Sequence, residues 1–157
     1  MAFQLNGVFE PQEVVMFKHI LIPTDGSDLS RKAVAGGLEI AKALGARVTA
    51  YTCVVEYLPM TEFAVETPQS VMDQIEAEAD QHLMQFAKDA QAAGVAFDTA
   101  RSTEYSPYTG IINTAREKGC DLIMMASHGR RGLAGLLLGS ETQKVLTHSE
   151  IPVLVYR

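Results

Sequence analysis

Cysteine is scarce in this chain of 157 residues: only Cys53 and Cys120 occur. They form no CxxC pair and no cluster with histidine, so neither a zinc site nor a thioredoxin-like motif is supported. Two reduced, buried thiols in a reducing compartment are the expectation. Long apolar runs are also missing. The longest fall far short of the roughly 20 residues that span a bilayer. A basic excess is missing too. Thirteen Lys and Arg stand against 19 Asp and Glu, for a formal charge of −6. Broad binding to nucleic acid or to an anionic membrane needs a basic face, so neither is expected as a partner. Neither a G-x-x-x-x-G-K-[ST] phosphate loop nor a G-x-G-x-x-G turn after the first strand is present. No repeat, low-complexity stretch or linker interrupts the chain.

What remains is an ordinary globular composition, 47% hydrophobic and 20% charged. The length fits one domain, which buries roughly two-thirds of its unfolded surface without a staple. Residues 1–15, MAFQLNGVFEPQEVV, have no basic n-region and no apolar h-region, so they do not read as a secretory signal. Met16 opens MFKHILIPTDGS, which reads as a natural start. The domain is therefore placed at 16–157. Residues 1–15 read as an N-terminal extension: a tag remnant, a native arm or a mis-set start. A cytoplasmic location is expected.

Beyond Met16, strand and helix alternate. His19–Pro23 is strand 1, a short apolar run ended by Thr24-Asp25-Gly26-Ser27. In helix 1, about Asp28 to Leu44, the residues Leu29, Ala33, Gly37, Ile40 and Leu44 recur at spacings of three and four, as one buried face requires. Gly45 suits a left-handed C-terminus. Strand 2 is Arg47–Val55, rich in Val, Thr and Tyr. Tyr57–Gln69, with Pro59 and Pro68, reads as a loop. Ser70 is the expected cap of a long helix 2, with Met72, Ile75, Ala79, Leu83, Phe86 and Ala90 along one stripe. Gly94 ends it. Strand 3 is about Val95–Ser102. Ser106-Pro107 is an N-cap followed by proline at the first helical position, and helix 3 runs to Lys118. Strand 4 is Asp121–Ala126. A glycine-rich segment, Ser127–Gly139, follows it. Ser140-x-x-Gln143 reads as a capping box for helix 4, and strand 5 is Pro152–Tyr156. Met60, Met72, Met84, Met124 and Met125 read as core filler.

Regular β-α-β alternation implies an α/β, doubly wound, five-stranded parallel sheet with helices on both faces. Two strand orders are common, 3-2-1-4-5 and 2-1-3-4-5. The first is expected here for a chemical reason. The two loops of unusual composition follow strands 1 and 4. In the order 3-2-1-4-5 those strands are neighbours, the winding reverses between them, and a ligand crevice opens at their carboxyl ends.

The chemistry-bearing motif is Ala126-Ser127-His128-Gly129, nine residues, then Gly139-Ser140. Gly129 lacks a Cβ where the chain leaves the strand, so backbone and ligand can approach closely. Gly139-Ser140 opens helix 4, where unpartnered N–H groups and the helix dipole favour a phosphate. Arg130 and Arg131 lie in the same loop and could approach the phosphates. Taken singly, each feature has a plain structural reading: a cap, a turn, a solvated charge. Together, at the switch point, they favour a phosphate site. His128 has no partner carboxylate identifiable from sequence, so a loop-orienting or phosphate-edge role is preferred to a catalytic one. His19, His82 and His148 are scattered and form no ligand set, so no protein-held metal is expected.

ILIPTDGS near the start, SHGRRGLAGLLLGSETQKVL near the end and the terminal IPVLVYR resemble the universal stress protein family. The resemblance covers Phe17 to Arg157. In the family's ATP-binding branch the pattern is G-x-x-G, nine residues, G-[ST]. The matching positions are Ala126, Gly129, Gly139 and Ser140. Ala126 departs from the pattern and adds a methyl near where the family's ribose lies. The resemblance implies that Pro23 and Thr24 border the adenine and that Asp25 holds adenine or ribose. It implies that Cys53 and Val54 present backbone to the adenine edge. Met125, at the end of strand 4, is a candidate to touch the nucleotide. The binding set is completed by His128, Arg130, Glu141 and Thr142 around the motif.

The implied function is an ATP-binding stress-response regulatory protein, with any Mg²⁺ carried by the nucleotide. The implied assembly is a homodimer through the strand 5 edge, Val153, Leu154, Val155 and Tyr156, which is apolar on both faces. A slow ATPase is one alternative. Arginines are present for it, but no base is evident to orient a nucleophile. A nucleotide-free interaction module is the other, and the retained Gly129, Gly139 and Ser140 argue against it.

Overall fold

The computed structural model describes residues 16–56, 67–130 and 138–157. The extension 1–15, Met60, most of the proline loop and Arg131 lie outside the described residues. The elements are β1 (His19–Pro23), α1 (Asp28–Leu44), β2 (Arg47–Val55), α2 (Gln69–Ala93), β3 (Phe97–Glu104), α3 (Pro107–Glu117), β4 (Leu122–Ala126), α4 (Ser140–His148) and β5 (Val153–Tyr156). The sheet runs β3-β2-β1-β4-β5 with every pair parallel. The expected order 3-2-1-4-5 is therefore the observed one.

Alternation along the strands sorts the core into two layers. Ile20 and Ile22 of β1 pack with Leu122 and Met124 of β4 under Val34, Leu38, Leu83 and Phe86 of α1 and α2. Leu21, Ile123 and Met125 point the other way, against Ile111, Ala115 and Val145 of α3 and α4. Helices thus cover both faces. Helix α1 carries Gly36 and Gly37 on its buried side. A Cβ at Gly36 would come within 2.6 Å of the Tyr156 ring of β5, and one at Gly37 would strike Ile22. The glycines let a strand and an aromatic ring approach the helix backbone.

Several local expectations are corrected. Ser70 does not cap α2: the helix opens at Gln69 behind Pro68, which has no side-chain acceptor to offer. The Ser140–Gln143 capping box is not formed. Gly139, extended at φ −70° and ψ 157°, holds the cap position, so Ser140 is the first helical residue. The Gln143 side chain donates back to the Leu138 carbonyl instead. Strand β3 starts at Phe97, later than expected, because Gly94 turns left-handed and Val95 still donates to Ala90 as the helix closes. Strand β4 starts at Leu122, where Asp121 accepts from the backbone of Lys18 and His19. Met84 is 58% exposed and is not core filler. It neighbours Leu83 in sequence, but its side chain falls on the outer face of α2. Met124 and Met125 are buried as expected.

Candidate functional site

The loops after β1 and β4 meet because their strands pair directly, Ile20 with Leu122 and Leu21 with Ile123. The β1 loop is fixed from below. Thr24 donates its N–H to the Tyr51 carbonyl at 2.8 Å, and its own carbonyl accepts from the Thr52 hydroxyl at 2.9 Å. Asp25 then folds its carboxylate over the turn. Its Oδ1 accepts from the Ser27 N–H at 3.0 Å, an Asx turn that leads into α1. Gly26 follows at φ +74°, the left-handed region where a side chain is strained.

The second Asp25 oxygen crosses the crevice. Oδ2 accepts from the Arg130 N–H at 2.8 Å, and the Arg130 Nε donates to the Asp25 carbonyl at 2.6 Å. Gly129 makes this possible by space, not by backbone angle. Its φ is not positive, yet a Cβ there would sit 2.7 Å from Asp25 Oδ2. The close approach foreseen at Gly129 is thus filled by a carboxylate of the neighbouring loop. Burial pushes the Asp25 carboxyl upward, but hydrogen bonds from Ser27, the Arg130 amide and Ser30 outweigh it and hold the group below its ordinary value. Asp25 is therefore ionised at neutral pH.

Behind this bridge stands the N-terminus of α4. Gly139 donates to the Ser127 carbonyl at 2.8 Å, and the Thr142 hydroxyl lies 3.1 Å from the Ala126 carbonyl, into which it donates. These bonds stitch the helix start to the end of β4. The N–H groups of the first turn have no intrahelical acceptor, and Gly139 has no side chain to supply one. Ser140 is exposed there. His128 lies against this turn: its Cα is 3.4 Å from where a Gly139 Cβ would be. Its Nδ1 contacts the Ser127 hydroxyl at 3.1 Å, while Nε2 is buried with no hydrogen-bond partner among the described residues.

The structure thus brings Thr24, Asp25, Gly129 and Arg130 together, and Ala126, His128, Gly139, Ser140 and Thr142 beside them. Ala126 has an ordinary extended backbone, since no described non-glycine residue has positive φ. The extra methyl is therefore unstrained. Met125 and Ala126 are buried in β4, and Pro23 ends β1 half-buried. Cys53 and Val54 stand one strand further, on β2, with Val54 fully buried. Burial also pushes the Cys53 thiol up. The Glu141 carboxylate is committed elsewhere. It accepts from the Tyr108 N–H at the start of α3 at 2.8 Å and from Lys144 at 2.7 Å, so it serves α3 as the cap that Ser106 does not provide.

Sequence reasoning missed His82 and Glu78 of α2, which meet the Arg130 guanidinium, and Arg31 of α1, which donates to the Gly26 carbonyl at 2.6 Å. A signal for His82 was present. It lies three residues after Ala79 and four before Phe86, a polar residue bordering the apolar stripe of its helix. Among the described residues, no group of three or more His, Cys, Asp or Glu is placed to hold a metal, and no described helix is long and apolar enough to cross a membrane.

The model of the universal stress protein family matches residues 16–157. A universal stress protein of Methanocaldococcus jannaschii is 34% identical over 154 residues, covering 98% of this chain and 89% of its own. A solved structure from the same family in Burkholderia pseudomallei is 26% identical with a TM-score of 0.72, covering 90% of this chain and 96% of its own. Two structures with more distant sequences share the fold and hold adenine nucleotides. One universal stress protein in complex with cAMP is 24% identical with a TM-score of 0.68, covering 90% and 97%. One from Arabidopsis thaliana with AMP bound is 16% identical with a TM-score of 0.64, covering 88% and 90%.

Proposed function

This chain belongs to the universal stress protein family, and from that premise we propose that it is a dimeric, ATP-binding regulatory protein of the stress response. The observation that carries the nucleotide reading is the start of α4. Its glycine cap leaves the first-turn N–H groups without a side-chain partner, and His128, whose buried Nε2 has no hydrogen-bond partner among the described residues, lies with its Cα against Gly139. A helix N-terminus of this kind favours an anion. An oxygen of a phosphate would satisfy both the amides and the imidazole. The residues present therefore fit the group.

In this reading Gly139, Ser140 and His128 hold the phosphates, Thr142 fixes the helix start, and Arg130 supplies charge. Pro23 and Thr24 border the adenine, Asp25 takes the ribose or adenine edge, and Cys53 and Val54 offer β2 backbone. Met125 underlies the nucleotide. Mg²⁺ arrives with the phosphates. Glu141 acts indirectly by tying α4 to α3. The described structures with cAMP and AMP bound support the ligand class.

Dimerisation is supported by β5. It pairs with β4 on one side only, and all four of its residues are half-exposed. Such an apolar edge is seldom left bare, and a second copy paired about a two-fold axis covers it.

Calorimetric titration with ATP tests the nucleotide reading. Micromolar-range binding is expected. The chain has no Trp and five Tyr, so co-purifying adenine would also raise the absorbance ratio of 260 to 280 nm. A bare-protein ratio together with no heat on titration refutes the reading.

A further inference from the structure

Arg130 reaches beyond the crevice to α2. Its Nη2 lies 3.2 Å from His82 Nε2, and its Nη1 is 3.7 Å from the Glu78 carboxylate. Arginine has five donors and no acceptor. His82 Nε2 must therefore accept, and the imidazole is neutral with its proton on Nδ1. The ring occupies the space left by Gly26, where a Cβ would fall directly on it. Four charged groups face the ring: Arg130 from the β4 loop, Asp25 from the β1 loop, Arg31 from α1, and Glu78 on α2 itself. Burial, and then Arg130, hold the imidazole below its ordinary value of 6.5, with Asp25 and Glu78 opposing them. Helix α2 covers one face of the sheet and α4 the other. The contact with His82 thus draws the guanidinium toward α2 and away from the start of α4.

We propose that His82 is a positioning residue of the nucleotide site: as the neutral imidazole it holds the Arg130 guanidinium against α2, and on gaining a proton at Nε2 it releases that guanidinium toward the phosphates of ATP. The inference rests on the nucleotide reading above. Taking a proton from solvent removes the only lone pair that Arg130 uses on this ring. It also sets two cations against each other at hydrogen-bond distance and gives Glu78 a competing partner. All three effects free the Nη1 and Nη2 end of Arg130, while Nε stays on the Asp25 carbonyl as a pivot, and the new imidazolium adds positive charge near the phosphates. ATP binding should therefore tighten as pH falls through the His82 transition. By linkage, bound ATP should raise the proton affinity of His82 by the same factor.

The test measures ATP affinity by calorimetry from above pH 6.5 down through the lower-lying His82 transition, located by its ring resonances, for the wild type, His82→Gln, Arg130→Gln and the double variant. Glutamine can accept from Arg130 through Oε1 but cannot gain a proton. The protonation of ATP itself cancels in the ratio of wild type to variant. That ratio should shift about five-fold toward the wild type on acidification, at the lower end of ordinary coupling, and should not shift when Arg130→Gln is also present. A ratio independent of pH overturns the proposal. The ring resonances of His82, titrated without nucleotide, read the contact separately. Arg130→Gln should raise the His82 pKa, and an unchanged value also overturns the proposal. If ATP binds at no pH, the nucleotide reading and the release step both fall. The resonance shift then stands for the Arg130–His82 bond alone.

Discussion

Adding one methyl at Gly129 should unfasten the two loops. In Gly129→Ala the new Cβ would lie 2.7 Å from Asp25 Oδ2, well inside the roughly 3.5 Å of an ordinary non-bonded contact. The carboxylate cannot simply rotate away, because Oδ1 is held by the Ser27 N–H and Oδ2 by the Arg130 N–H. One bond must go, and the Arg130 bond lies in the path of the methyl. A hydrogen bond to a charged group contributes about 1.5–3 kcal/mol. Against that loss stands a gain of about 0.4–1 kcal/mol from a stiffer unfolded chain, which alanine can realise because Gly129 is not left-handed. The net cost is about 1–2 kcal/mol. A domain of this size loses roughly 2–4 °C per kcal/mol, so the melting temperature should fall by about 2–8 °C. Gly139→Ala is the internal control. Its Cβ would meet backbone of His128 and Ser127 no closer than 3.4 Å, so it brings no collision; alanine is a poorer helix cap than glycine, and whatever small loss it shows should be the same with and without Asp25. The assay is thermal unfolding without nucleotide, repeated in an Asp25→Ala background. If the collision with the carboxylate is the cause, Gly129→Ala should cost little once Asp25 is gone. Full stability of Gly129→Ala, or an equal loss with and without Asp25, would refute the reasoning.

The same carboxylate sets a pH dependence. Its folded pKa is depressed, so its contribution to stability is fully present above the ordinary 3.8 and is lost as pH falls through the lower folded value. The melting gap between wild type and Gly129→Ala should therefore narrow in that acid window, and a constant gap would contradict it. Gly139→Val should melt lower, as a poorer helix cap, but leave the fold intact and bind no ATP, because its γ-methyls occupy the space beside the α4 N-terminus; unchanged affinity in the titration would place the phosphates elsewhere. The carbonyls of Pro152 and Tyr156 accept from β4, so alternation turns the backbone of Val153 and Val155 to the free edge. Val155→Pro removes one of those edge donors, and if the proposed dimer forms through this edge, sedimentation should find the variant monomeric and the wild type a dimer. A wild type that sediments as a monomer at tens of micromolar would reject the dimer.

Much of this architecture could be read from residue order. Strand and helix limits near the glycines were legible because Gly45, Gly94 and Gly119 sit left-handed at or just past helix ends. Composition alone brought the β1 and β4 loops together, since only that strand order makes neighbours of the two unusual turns. What could not be read was side-chain allegiance. Whether Ser140 or Gly139 caps α4 depends on one ψ angle. Glu141 stands next to Ser140 in sequence, yet its carboxylate belongs to α3. The crossing of Asp25 to Arg130, and of Arg130 to His82, joins three segments whose spacing carries no periodic signal. Such pairings come from packing, which a local pattern does not encode.

The paired glycines of α1 bear on the order in which the chain can assemble. A glycine inside a helix costs about 1 kcal/mol relative to alanine, so Gly36 and Gly37 together leave α1 weak as an isolated helix. The compensation comes from Ile22 on β1 and from the Tyr156 ring on β5. The second of these is the last strand of the sheet, so the first helix gains its full cover only by a contact of very long sequence separation, the kind that slows folding. During translation, α1 would emerge early and wait, frayed, until β5 had been synthesised. A nascent chain arrested before β5 should therefore show α1 open to proteases and to hydrogen exchange, and release of β5 from the ribosome should close it.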